Sequence, residues 1–311
     1  MKKYRLILSL ITVDNDFQLE QAEAAEEAAR RLEVDVEILF ADGDSIEQSQ
    51  QILRFVQARP GERPDGIIFE PVGGPALAVV ARAAVDAGIG WVVLNKQVEY
   101  VKELRRSRIP VFVVTSDHVE MGRIQGYQLA ALLPKGGTIL SIEGPAESDA
   151  CKLRIQGLSE MKPANIQVKT MRGNWTEFSA FHSVKSWLRL STSQHEAIAA
   201  VAAQNDAMAV GAKKAFEEFA HEFGGRPHFQ DLPFLGMDGV PTGGQAWVKS
   251  MVLAATVVAP PLAGTAVELL VRTLRTGNVV PEITVMDPYS FPALPAIKPH
   301  AERGMETAGR G

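Results

Sequence analysis

The chain has 311 residues, 46% hydrophobic and 22% charged, with a net charge of −5 and one cysteine. At roughly 100 to 200 residues per domain that length predicts two lobes, and the composition excludes a disordered majority and a cationic nucleic-acid surface. Cys151 alone builds neither an intrachain disulfide nor a cysteine zinc site, and no apolar run approaches the roughly 20 residues that span a bilayer.

Strand and helix patterns alternate from the start. Leu6 to Val13 reads as a strand, and Glu20 to Leu32 as an amphipathic helix rich in Ala and Glu. The first run follows Lys2, Lys3 and Arg5, as in a signal peptide, but it is short and lacks a small-residue cleavage site, so it is read as the first strand. Val34 to Phe40 is a strand. Ser45 with Gln48 forms a capping-box pattern for a helix through Gln57. Gly66 to Phe69 is a buried strand, Pro75 to Ala87 a helix, and Trp91 to Leu94 and Val111 to Val114 further strands. The basic run Lys102 to Arg108 is expected to be a solvated face.

The alternation then restarts. Helices are expected at Val119 to Leu133, Ala150 to Met161, Phe178 to Leu188, Met208 to Glu222 and Gly243 to Ser250; strands at Thr138 to Ile142, Gln167 to Met171, Ile198 to Ala203 and Phe234 to Met237. After Met251 a strand (Leu253 to Val258), a helix (Leu262 to Thr276) and a strand (Ile283 to Met286) break the count, and are expected to return to the first lobe. From Pro288 the chain reads as a surface strap with a frayed end. The fold class is therefore α/β, two doubly wound parallel-sheet lobes joined by a multi-strand hinge. The expected lobes are residues 1–115 with 259–286 and 116–258 with 287–300, followed by a tail at 301–311.

Polar residues fall where strands end, which is where open α/β sheets bind ligands. Gln204-Asn205-Asp206 follows the apolar run Ala197 to Ala203 and opens a helix; some thirty residues on, Pro233-Phe234-Leu235-Gly236-Met237-Asp238-Gly239 runs from an apolar strand into Asp238 and a glycine-rich turn. A pyranose offers hydroxyls at its rim and C–H groups on its faces, so it suits carboxylates and Arg at the edge and an aromatic on the face. Arg154, Asn205, Asp238 and Trp175 supply that set, with Glu70, Asn95 and Lys96 expected from the other lobe. Against this, Asn205 and Asp238 also suit helix caps, Trp175 a core site, Arg154 an ion pair with Glu143 or Asp149, and Glu70 with Lys96 a pair of their own.

With Asp14-Asn15-Asp16-Phe17, Leu94-Asn95-Lys96 and Arg154-Ile155-Gln156-Gly157 added in order, the chain resembles the type I periplasmic binding proteins. The resemblance is to the ribose-binding branch, shared with effector domains of lactose-repressor-type regulators. It covers nearly all of residues 4 to 290. It implies sugar contacts at Asn15, Phe17, Glu70, Asn95, Lys96, Arg154, Trp175, Asn205 and Asp238, in an interlobe cleft that closes on the ligand. The sequence departs from the ribose pattern at Gln18 for a second aromatic, Glu70 for Asn or Asp, Asn95-Lys96 for Asp-Arg, and Ala259 for a hinge-side Gln.

Enzyme signatures are lacking. There is no Gly-x-Ser-x-Gly elbow and no Walker loop, His195-Glu196 and His221-Glu222 lack a second zincin histidine, and Ser116-Asp117-His118 are chain neighbours that cannot form a relay. Asp42-Gly43-Asp44 lacks the later glutamate of a calcium loop and reads as a helix-leading turn. The expectation is a non-enzymatic binder of a sugar or polyol without cofactor or metal, partnered by an ABC permease. The alternative is a cytoplasmic sugar sensor, or an effector domain lacking its DNA-binding part, with a signalling partner. No nucleic acid and no membrane insertion are expected. The expected location is cytoplasmic as the sequence stands, or periplasmic if it is a trimmed mature form.

Overall fold

The computed structural model describes residues 2–73, 77–191, 193, 196–223, 229 and 231–300. In chain order its first elements are β1 (Arg5–Leu10), α1 (Asp16–Leu32), β2 (Asp35–Phe40), α2 (Ser45–Val56), β3 (Gly66–Phe69), α3 (Ala78–Asp86), β4 (Gly90–Leu94), α4 (Tyr100–Leu104) and β5 (Val111–Ser116). Then come α5 (His118–Leu132), β6 (Gly137–Glu143), α6 (Asp149–Met161), β7 (Ile166–Arg172), α7 (Glu177–Leu188), β8 (Ile198–Ala203) and α8 (Asp206–Phe223). The chain ends on β9 (Phe234–Asp238), α9 (Gly244–Lys249), β10 (Ala255–Val258), α10 (Leu262–Thr276), β11 (Ile283–Met286), β12 (Tyr289–Phe291) and a 3-10 turn at Leu294–Ala296. They form two compact units, Met1–Ser116 with Pro260–Met286, and Asp117–Ala259 with the chain from Asp287.

The first unit holds a six-stranded sheet in the order β11-β5-β4-β3-β1-β2, with every pairing parallel. Its strands read as continuous apolar runs because both faces are covered. Leu6, Leu8, Leu10, Ile68, Val92 and Leu94 point to one side, into a core shared with Ala25 and Ala28 of α1 and Leu262, Val267 and Leu270 of α10. Ile7, Ile67, Phe69, Trp91 and Val93 point to the other, against Ile52 and Phe55 of α2 and Ala81 and Val85 of α3. Burying one such side chain contributes roughly 1.5–3 kcal/mol, whereas an exposed ion pair such as Arg5–Glu37 at 3.0 Å contributes about 0–1 kcal/mol. Packing, not surface charge, anchors β1.

The second unit repeats the design in the order β12-β10-β9-β8-β6-β7, parallel except that β12 runs antiparallel to β10. Leu140, Ile142, Val201 and Ala203 face α7 and α8. Ile139, Ala200, Ala202 and Leu235 face Leu129 of α5 and Leu158 of α6.

Four expectations need correction. β1 stops at Leu10 and α1 begins at Asp16, because Asn15 caps the helix by accepting from Phe17 N–H at 2.9 Å. Ser45 is not the cap of α2: Asp44 is, accepting from Ile46 N–H at 2.7 Å, and Gln48 turns inward. The segment after Pro288 is a sheet strand rather than a strap, since Ser290 pairs with Val257 and receives the Gln128 side chain at 3.0 Å. In the basic run Arg105 is half-buried and donates to Val111 O at 2.8 Å and Val280 O at 2.7 Å, while Lys102, Arg106 and Arg108 are exposed. The expected helix start at Pro75, His195 and the tail at 301–311 lie outside the described residues.

Candidate functional site

In the first unit, β1, β3 and β4 are neighbours, so the residues after them lie side by side at the carboxyl end of the sheet. Glu70 follows β3 and is 6% exposed. Its Oε2 accepts from Gln18 Nε2 at 2.7 Å and its Oε1 from Asn95 Nδ2 at 2.9 Å. Gln18 is fixed in turn, accepting from Ile11 N–H at 2.8 Å. Gln48 donates to the Glu70 carbonyl at 2.8 Å and accepts from Val72 N–H at 3.0 Å. Asn95 takes the left-handed φ of 58°, and its Oδ1 is buried without a partner among the described residues. Asn15 and Phe17 sit on the first turn of α1, the former as its cap and the latter buried. Lys96 follows Asn95, partly exposed.

The second unit gathers the other four expected residues. Arg154 on α6 is 5% exposed; its Nη1 donates to the Gln204 carbonyl, its Nη2 lies 3.5 Å from Asp238 Oδ1, and its Nε–H is buried without a partner among the described residues. Its guanidinium stands 5.5 Å from the Trp175 ring centroid, within cation–π range. Trp175 has a φ of 62° in the turn between β7 and α7, and its ring rests on Gly144, where a Cβ would come within 2.2 Å of the indole. It also packs against the apolar core of this unit, so it is half core residue, half wall. Asn205 caps α8 by accepting from Met208 N–H at 2.8 Å and donates its amide to the Trp175 carbonyl at 2.8 Å. The pairing of Arg154 with Glu143 or Asp149 is not what holds it: Glu143 pairs with Arg172 at 3.1 Å. Burial pushes the Glu143 carboxyl above its ordinary range, and Arg172 partly offsets this. The same burial raises the Cys151 thiol, which donates to Gly144 O at 3.4 Å.

The structure thus brings together Glu70 with Asn95, and Arg154 with Asp238, Trp175 and Asn205. Sequence reasoning missed their supports. Gln48 stands four residues before Ile52 and seven before Phe55 on the buried face of α2, a spacing that marks an inward glutamine. Gln204, accepting from Gly144 N–H at 2.9 Å and donating to Cys151 O at 3.1 Å, carried no such signal.

Two arrays of hydrogen-bonding groups at strand ends, one with an aromatic plate, on two doubly wound sheets, define an architecture that can be matched. Residues 6–278 match the model of the periplasmic binding protein domain. The chain belongs to the type I periplasmic binding proteins. It is 28% identical over 216 residues to a putative rhizopine-binding protein of Rhizobium meliloti, covering 67% of this chain and 66% of that one. It is 25% identical over 260 residues to the ribose import binding protein of Bacillus subtilis, covering 84% and 77%. An ABC transporter solute-binding protein of Actinobacillus succinogenes with bound D-allose superposes with a TM-score of 0.78 at 22% identity, over 93% of this chain and 97% of the other. Among the described residues no helix is long and apolar enough to cross a membrane.

Proposed function

We propose that this periplasmic binding protein holds a sugar or sugar-like polyol by the two residue clusters, and serves as the solute-binding component of an ABC sugar transport system. The observation that carries the reading is the second-unit cluster. Arg154 supplies a buried Nε–H, Asp238 a carboxyl and Trp175 an indole, which together answer the acceptor, donor and C–H surfaces of one sugar. Glu70 and Asn95 add acceptors for hydroxyl donors. The relatives named for ribose and the neighbour holding D-allose support the class of ligand. The protein binds without transforming its ligand, delivers it to a permease, and works in the periplasm.

Titration calorimetry with D-ribose, D-allose and further pentoses, hexoses and polyols tests this. A saturable, one-to-one heat with at least one of them is expected. No heat with any member of the panel would overturn the reading.

A further inference from the structure

Asp206 opens α8 directly after Asn205, and its carboxyl is turned into the protein, against Gly239 and Thr256. It is 5% exposed. Its Oδ2 accepts from Gly239 N–H at 2.7 Å and its Oδ1 from the Thr256 hydroxyl at 2.6 Å. A Cβ on Gly236 would lie 2.0 Å from Oδ1, and one on Gly244 2.0 Å from Oδ2. The two glycines leave a seat for this carboxyl, and a bulkier lining would expel it. The amide it holds belongs to the residue after Asp238, whose φ of 97° is in the region that side-chain-bearing residues avoid. Such a conformation persists only where its surroundings fix it, and the Asp206–Gly239 bond does so beside Gln245, which donates to Gly239 O at 2.8 Å, and Ala259 N–H, which donates to Asp238 O at 3.0 Å.

We infer that Asp206 is a positioning residue for ligand binding: by holding Gly239 N–H it keeps the strained Asp238 turn in the form that brings the Asp238 carboxyl to 3.5 Å from Arg154. The inference rests on the reading of Asp238 as a ligand group. It also accounts for the glycines at 236 and 244.

The test is calorimetry with D-ribose and D-allose on wild type, Asp206→Ala, Asp206→Asn, Gly244→Ala, Asp238→Ala and the double Asp206→Ala/Asp238→Ala. Asp206→Ala is expected to weaken binding by about tenfold or more, because a buried N–H is left unsatisfied and the turn relaxes. Asp206→Asn keeps an oxygen for Gly239 N–H and is expected to stay within about threefold of wild type. The Asp206→Ala loss is expected to vanish when Asp238 is already Ala, a coupling that a general structural weakening does not give. Gly244→Ala, which displaces the carboxyl without removing it, is expected to behave like Asp206→Ala. Should both alanine variants fail to fold, Thr256→Val takes their place. Hydrogen exchange at the Gly239 amide reads the same hold without any sugar: faster in Asp206→Ala and Gly244→Ala, slow in Asp206→Asn. Wild-type affinity in a folded Asp206→Ala or Gly244→Ala, an undiminished loss in the Asp238→Ala background, or unchanged Gly239 exchange would each overturn the role. A wild type that binds neither sugar counts against the choice of ligand alone, and the exchange measurement then decides for Asp206.

Discussion

Arg154 and Asp238 meet with side-chain exposures of only 5% and 13%, so each depends on the other to offset lost hydration. Asp238→Ala is therefore expected to weaken ligand binding by about 2–4 kcal/mol, since a charged acceptor is lost while its donors stay buried. Calorimetry checks it, and an unchanged Kd would remove Asp238 from the site. Asp206 is different in kind. Burial first, and the nearby Asp238 second, hold its carboxyl well above the ordinary value of 3.8. Above that value the unfolded chain releases a proton that the folded chain keeps, so folding stability falls as pH rises until the folded group also ionises. Asp206→Asn abolishes that fall. Urea denaturation from pH 4 upward should show the variant gaining on wild type by at most about 1.4 kcal/mol per pH unit, and parallel curves would refute it. Both aspartates and Asn205 are visible in the sequence as strand-end polar residues, and Arg154 and Trp175 are visible through the Arg-x-x-Gly setting and the polar flanks that the family resemblance picks out. That Asp206 turns inward while Asp238 meets Arg154 is not visible, because it depends on the room left by glycines thirty and more residues away.

At the scale of elements, alternation of apolar runs is enough to place nearly every strand, since strands covered on both faces leave no ambiguity of face. Edges were harder. β12 is three residues long with no buried apolar stripe of its own, and takes its place from the free edge of β10 and from Gln128, contacts no local pattern encodes. Helix starts fail for a related reason. Polar residues crowd the turns before α1 and α2, and only geometry picks Asn15 and Asp44 as the caps. The start of α10 goes further, because its own N-cap, Pro261, has no side-chain hydrogen bond. Gln21 of α1 does that work, its Oε1 accepting from Leu262 N–H at 2.7 Å and Ala263 N–H at 3.0 Å. Gln21→Leu leaves both donors buried and unsatisfied, and should destabilise the protein by about 1–3 kcal/mol. Thermal denaturation reads this, and a variant as stable as wild type would show that the two amides find other acceptors.

For the whole molecule, a ligand that engages groups from both units has more contacts when the units are drawn onto it, so it shifts the population toward that state. Small-angle scattering should then show a smaller radius of gyration at saturating sugar than without it. Identical profiles would argue for a scaffold that binds without moving.

The chain enters the second unit at Asp117 and comes back to the first at Pro260. A ribosome therefore finishes β1 to β5 long before it makes Leu262, Val267 and Leu270 of α10, which cover one face of those strands. Throughout the synthesis of some 140 intervening residues that face is covered only in part, by α1, whereas most of the second unit, from Asp117 to Ala259, emerges as one uninterrupted piece. The half begun first must wait for α10 and β11 behind most of its partner, and the growing chain is most open to aggregation and to chaperones during that interval.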